Sequence, residues 1–453
     1  MSKTITVGSS VDDSTKLQKL IDNTGNTPTE YVFSEAQDIE INSRLRVYNN
    51  TEWSGNDCNF ILADKVSTSI FPSGIPLIAP KTPSNAEGIC LHDLNCDGNR
   101  DSNMHVAALT ANKKAWGNGF HNFIMLGILN GVECSNSKNC EFYNINYKNS
   151  LGDLLRVEGG QNISAHDITA SRGGHDVICY AGTDGGEVYN LSVEMSVNAA
   201  VRTRSSKNIK IHDCKIEGNT GTAYSPGFEI QSTATNWISE NIEIYNNEIR
   251  GTWGPGIQIA GTVPGNGLVS VHNNLFDGCG RMPAVNKIQG VGAIIFDGFP
   301  VQIRNNTVVN SMGYGLMAGA YNVSSPYSFS GEISRNIVTG TRKSNYPGAG
   351  SGAGIANLIP GRYSLACSQN CLCDNLTSLY NTTQTGGITE DPLFTEDYHL
   401  QADSPCRFSG YQIGAYSDPE ENPTELLISC SEEDVETISK SITYEHEIYR
   451  RIE

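Results

Sequence analysis

Short apolar alternations recur along this chain, and each carries a polar residue at the same phase. Asn144, Asp167, Asn190 and Asp213 stand in FYNINY, AHDITA, VYNLSV and IHDCKI, at steps of 23 residues. Alternating apolar positions mark half-buried strands. A repeat of this length with one fixed polar residue is the pattern of a chain coiling into stacked β-rungs. No single rung can bury its apolar face alone. The pattern predicts an all-β protein, a parallel β-helix solenoid. Later rungs are longer: IYNNEI, VHNNLF and IRNNTV set Asn246, Asn273 and Asn305 at steps of about 27–33 residues. The surplus falls in Gly-rich stretches such as AGTVPGNGLV and TRKSNYPGAGSGAG. Insertions at one corner of a solenoid build a binding wall. The Asn/Asp column itself reads as a ladder inside a corner, each side chain bonding the next rung.

The two ends differ from the middle. Residues 11–23, VDDSTKLQKLIDN, put Leu17, Leu20 and Ile21 at helical spacing after an Asp/Ser/Thr start signal. Such a helix can close the open apolar end of a coil of rungs. The organisation predicted is an N-terminal cap over 1–54, a β-helix over 55–416, and a tail over 417–453. The tail is rich in acids and poor in core signals. It reads as an excursion, the stump of a further domain or an assembly segment.

Aligning the strands LLRVEGG, VICYAGT, VRTRSSK, FEIQSTA, IQIAGTV and IIFDGFP assigns their faces. Leu155, Val157, Ile178, Tyr180, Val201, Thr203, Phe228, Ile230, Ile257, Ile259, Ile294 and Phe296 make the inward row. One outward row reads Arg156, Cys179, Arg202, Glu229, Gln258, Ile295. The other reads Glu158, Ala181, Arg204, Gln231, Ala260, Asp297. Asp153 and Asp176 align just before the strand, with His175 alongside. Rungs stack ~4.8 Å apart, so these distant residues become neighbours on one face.

Arg, Glu and Gln mixed on one face suit sugar hydroxyls and carboxylates. Arg156, Glu158, Arg202, Arg204, Gln231, Gln258 and Asp297 are the candidate substrate-binding residues. For catalysis, Glu229 is the candidate general acid, because its own strand holds no Arg. Asp176 is the candidate base, with His175 as its orienting partner or an alternate base. Elimination beside a uronate uses the face differently: Arg202 or Arg204 neutralises the carboxylate, and His175 or Tyr180 takes the proton. A third reading is a surface or viral adhesin that only binds glycan.

Net charge of -18 argues against a nucleic-acid partner, which needs a basic footprint. An anionic glycan is still compatible, since a local Arg cluster can hold one. No apolar stretch approaches the ~18–20 residues that cross a bilayer, so no membrane partner is expected. The opening MSKTITVGSS holds no apolar signal core. The chain has 13 Cys. CSQNCLC does not fit zinc-site spacing. The alternatives are buried thiols, or one or two disulfides near the C-terminal rungs. DGNRD (Asp97, Asn99, Asp101) lacks the rest of a calcium loop and reads as a polar turn. Trp116 and Trp253 could serve as sugar platforms or pack against loops. No cofactor or metal is expected.

The helix-then-strand opening, the NN-hydrophobic rungs and the DPLF…YHLQADSPC ending resemble right-handed parallel β-helix proteins of the pectin-lyase-like superfamily. The likeness spans most of residues 11–416. It implies a polysaccharide-active protein acting outside the cell or at its surface, in many relatives a homotrimer. GGHD at 173–176 resembles part of the polygalacturonase motif set, but Asn-Thr-Asp, Asp-Asp and Arg-Ile-Lys are missing. The chain also resembles the archaeal disaggregatase family, which implies a uronate-containing cell-wall polymer as substrate. The function expected is a glycoside hydrolase on an acidic polysaccharide, with a lyase as the alternative.

Overall fold

The computed structural model describes residues 2–64, 78–82, 86–99, 102, 132–135, 137–149, 153–173, 176–194, 198–218, 226–232, 238–261, 264–265, 267–281, 292–319, 327–344, 351–407 and 413–416. Every named strand pairs in parallel with the equivalent strand of the next coil, which makes a right-handed parallel β-helix. One side is a sheet of twelve short strands, from Leu45–Val47 to Thr377–Tyr380. This site sheet holds the aligned strands identified above. A second sheet of 21 strands wraps the other sides. His175, Trp116, Asp101 and the tail lie outside the described residues.

The inward row is as read from the sequence. Leu155, Ile178, Val201, Phe228, Ile257 and Ile294 pair rung on rung and are buried. Near the N-terminus Trp53 stacks on Phe60 at 5.8 Å, with Phe33 edge-on to both. Burying these apolar rows supplies the main drive for coiling.

The polar column corrects one expectation. Asn144, Asp167, Asn190, Asp213 and Asn246 have φ of 50 to 55° and lie exposed on the outside of the corner. Long strands such as Gln161–Ser171 turn the corner at this residue. Asn and Asp tolerate the left-handed conformation better than other side chains. The enclosed ladder is one residue later. Asn247, Asn274, Asn306, Asn336 and Asn370 are buried. Each carboxamide donates to the next at 2.9 Å, through Asn370. Each also accepts a backbone N–H from the rung before. The amide thus satisfies corner backbone groups that no strand partner can reach.

Outside the same corner His92, Tyr143, His166, Tyr189, His212, Tyr245 and His272 form one stack, with centroids no more than 5.3 Å apart. His166 and His212 bond the next residue, Asp167 or Asp213, at 2.7 Å.

The helix, Ser14–Asp22, is capped by Asp13, which accepts from Lys16 N at 2.9 Å. Leu17 and Ile21 bury against the first coils. The strands around it already belong to the coil. Lys3–Val7 pairs with Thr29–Phe33, which pairs with Thr51–Leu62. The pairing therefore shows no boundary at residue 54. At the other end, residues 388–407 and 413–416 lie as a strap over the outer face of the second sheet. Ala415 N donates to Thr307 Oγ1 at 2.8 Å, Gly414 N to Arg335 O at 3.0 Å, and Tyr398 OH to Asp277 Oδ2 at 2.9 Å. Beneath the strap Ile337, Cys371, Cys406 and Ile413 form a small apolar cluster. The eleven cysteines whose side chains are described are free thiols, nine of them buried. Asn99 closes a polar turn, its N–H on Asp97 Oδ1 at 2.8 Å.

The two Asn columns should respond differently to substitution. Asn306→Leu strands backbone groups of two rungs and is expected to destabilise by about 2–4 kcal/mol in urea unfolding. Asn246→Gly keeps the left-handed corner and should stay within about 0.5 kcal/mol of the parent. Equal losses at both positions would show that the inner amides do not hold the corner.

Candidate functional site

The outward row of the site sheet is also as read from the sequence. Arg156 pairs with Cys179, Cys179 with Arg202, Arg202 with Glu229, Glu229 with Gln258, and Gln258 with Ile295. Glu158, Ala181, Arg204, Gln231 and Ala260 run beside it. One face thus gathers residues more than a hundred positions apart, because parallel rungs keep a constant register.

Arg202 sits at the centre. Its Nε lies 3.1 Å from Glu229 Oε2 and its Nη1 lies 3.6 Å from Asp176 Oδ2. Its Nη2 donates to Gln231 Oε1 at 2.8 Å. Glu229 Oε1 accepts from Gln231 at 2.5 Å and from Gln258 at 3.3 Å. Asp176 Oδ1 accepts from Asn198 Nδ2 at 2.6 Å and from Ala199 N at 3.2 Å. The Asp176 N–H donates to Asp153 Oδ1 at 3.1 Å. Asp153 Oδ2 lies 3.3 Å from Arg156 Nη1, and Arg156 meets Glu158 at 2.7 Å. Two guanidiniums thus lie among four carboxylates along the face, Arg156 between Asp153 and Glu158, and Arg202 between Asp176 and Glu229.

The row is outward but largely covered. Asp153 and Asp176 are enclosed, Glu229 is 7% exposed and Gln258 1%. Glu158 and Arg204 are exposed. Burial works against the charge of Arg202, but Glu229 and then Asp176 outweigh it and push its pKa up. The Cys179 thiol is pushed up by burial first, then by Asp176 and Asp153. It stays protonated, a poor nucleophile and a poor ligand. Asp153, Asp176 and Cys179 place ligand-capable atoms within 4.8 Å of one another. The neighbouring Arg156 and Arg202 already supply the positive charge that a cation would bring.

Several expectations change. Glu229 was free of Arg within its own strand, but the neighbouring rung brings Arg202 against it. In the resting protein this carboxylate is engaged by the guanidinium rather than presented to the open face. Asp297 is not on the open face: it is enclosed and bonded by Arg362 Nη2 at 3.0 Å. Tyr180 points into the core and its hydroxyl donates to Ile163 O and Glu187 O at 3.3 Å. It cannot serve as the base of an elimination. Trp253 is half-buried. Asn198 escaped the sequence reading, although its place one coil after Asp176 was a usable signal. Past Ile295 the outward face turns apolar, with Met317 and Ala356 packed against Tyr314 and Ala353.

Comparison with known proteins agrees with this architecture. The family model "Right handed beta helix region" matches residues 113–242, and "Disaggregatase related" matches residues 239–416. No curated protein matches the sequence. Among solved structures, the A-module of the Azotobacter vinelandii mannuronan C-5 epimerase AlgE6 aligns with a TM-score of 0.59 at 14% identity. The alignment covers 84% of this chain and 95% of that one. The AlgE4 A-module of the same organism aligns at 0.56 and 14%, covering 85% and 98%. These likenesses establish a right-handed parallel β-helix fold for the chain.

Removing one member of the charge cluster tests how it is held. Arg202→Met leaves Glu229 and Asp176 buried without their cation and is expected to destabilise by about 3–5 kcal/mol. Adding Glu229→Gln to it should recover part of that loss. Urea midpoints of the three proteins measure both effects, and an unaltered midpoint for Arg202→Met would contradict the buried bridge.

Proposed function

We propose that this protein cleaves a uronate-bearing polysaccharide by hydrolysis on the outward face of the site sheet. The observation that carries the reading is Arg202, locked between carboxylates from two other rungs on a face that the fold does not require to be buried. Enclosing such a cluster is costly unless it serves a purpose. Buried, mutually perturbing charges gather at sites of chemistry. The "Disaggregatase related" match and the epimerase modules, whose name specifies a uronate polymer, fit the same substrate class.

The geometry suggests how the resting ion pairs become an acid and a base. A uronate carboxylate competes for the Arg202 guanidinium, with Arg204 on the same face to receive the chain. Once Arg202 turns outward, Glu229 loses its cation on a largely covered face and can carry a proton taken from solvent. Gln258 Oε1, which has no hydrogen-bond partner among the described residues, can accept from the protonated acid. Glu229 then donates its proton to the leaving glycosidic oxygen. Asp176 keeps the Asn198 and Ala199 hydrogen bonds on Oδ1, while departure of Arg202 uncovers Oδ2. Water attacking the anomeric carbon gives its proton to Asp176. Two carboxylates gripping one guanidinium stand no farther apart than roughly 9 Å, inside the outer limit that glycosidases use. Glu158 and Gln231 are placed to meet neighbouring sugar hydroxyls.

Glu229→Gln removes the proton donor while keeping the shape. It should lower turnover of an acidic polysaccharide by about 10²–10⁴-fold, with a smaller loss of stability than Arg202→Met because Arg202 keeps Asp176. Product masses from wild-type digests, including mannuronan and polygalacturonate, decide the chemistry. Products carrying one added water support hydrolysis. Unsaturated products that absorb in the ultraviolet would move the reaction to elimination. Binding without any product would make the protein an adhesin.

A further inference from the structure

A second cleft, of about 400 Å³, lies away from the site sheet, between the corner of the second sheet and the end of the C-terminal strap. Its volume falls within the ~300–1,000 Å³ of small-molecule sites. Asp213, Lys215, Asn246, Glu248 and Asn273 line one side, and Tyr416 the other. The strap side is firmly placed. Tyr416 stacks on His399 at 4.2 Å, and Tyr398 bonds Asp277. Arg250 ties Glu248 to Asp277 and lies over the Tyr398 ring at 5.6 Å.

The cleft begins where a regular feature of the corner stops. In earlier coils the exposed corner amide closes onto the corner Asp of the previous rung: Asn144 donates to Asp93 Oδ1, and Asn190 to Asp167 Oδ1, both at 3.0 Å. Asn246 stands in the same relation to Asp213, one rung on. There the bond is not made. Among the described residues neither the Asn246 nor the Asn273 carboxamide has a hydrogen-bond partner, and Lys215 has no acid partner. Glu248 is held by Arg250 and Asp213 by His212 Nδ1 at 2.7 Å. The cleft therefore presents two open planar amides and an unpaired cation beside a fixed aromatic ring.

We propose that this cleft is a secondary carbohydrate subsite that holds a uronate-bearing stretch of polymer away from the cleaving face. Planar amides exchange paired hydrogen bonds with sugar hydroxyls, and the Tyr416 ring offers apolar surface to a pyranose face. Lys215 supplies the counter-charge for a uronate carboxylate. The substrate class is that of the proposed function, but the subsite itself needs no catalysis.

Asn246→Gly/Asn273→Gly tests it without straining the corner, since Gly adopts the φ of 55° and 57° found there. Tyr416→Leu removes the ring independently. Mobility in gels containing mannuronan, polygalacturonate or a neutral β-glucan reads the affinity. Wild type and Glu229→Gln should both be retarded by a uronate polymer, and the double Gly variant and Tyr416→Leu should bind it about tenfold more weakly or worse. Retardation of both variants equal to wild type, or no retardation of wild type by any polymer, overturns the subsite. Retention lost in the variants, with no polymer cleaved even by wild type, leaves the subsite standing and removes the hydrolysis reading. Unchanged retention with normal cleavage removes the subsite alone.

Discussion

Parallel pairing of each strand with the same strand one coil later is the constraint on which the rest depends. It holds the rungs about 4.8 Å apart and forbids slippage, since a one-residue shift would turn the inward row outward. Corners are the weak points of such a coil, because backbone groups there have no strand partner. The chain solves this twice at adjacent positions. In the later coils the first residue of the pair, most often Asn, takes the left-handed turn, and the buried Asn after it carries the hydrogen bonds through the interior.

That constancy turns sequence distance into charge proximity. Arg202 would be an ordinary exposed arginine in an isolated strand. Between Asp176 before the strand of one rung and Glu229 on the strand of another, it becomes the shared cation of an enclosed cluster. Neither carboxylate can move without the guanidinium responding. A ligand carboxylate competing for Arg202 would therefore reset both acids together. Under the proposed function, this couples ligand binding to the two carboxylates without a mobile domain.

The strap shows a different use of the same scaffold. It covers the apolar outer positions Ile337 and Cys371 and brings Tyr416 to the corner where the exposed Asn-to-Asp bonds stop. A regular stack offers flat faces, and concave surfaces arise where a segment departs from the repeat. Both polar features lie beside such departures: Asn198 near the start of a site-sheet strand, and the strap beside the second sheet.

Much of this was legible in the chain. The period of 23 residues, the alternation and the αL-tolerant Asn and Asp specify the coil, its inward row and both outward rows, because register follows from local pattern alone. Leu17 and Ile21 announced the capping helix. What the pattern could not give was which neighbour each outward side chain would meet. Glu229 looked unpaired because its Arg belongs to another rung, and Asp297 looked exposed because Arg362 lies 65 residues away. The inner ladder was misplaced by one residue, since both residues of each Asn-Asn pair satisfy the same composition and only the turn geometry separates them. Periodicity is a property of one strand and its repeat, whereas burial and charge pairing depend on what the other rungs and the strap bring against it.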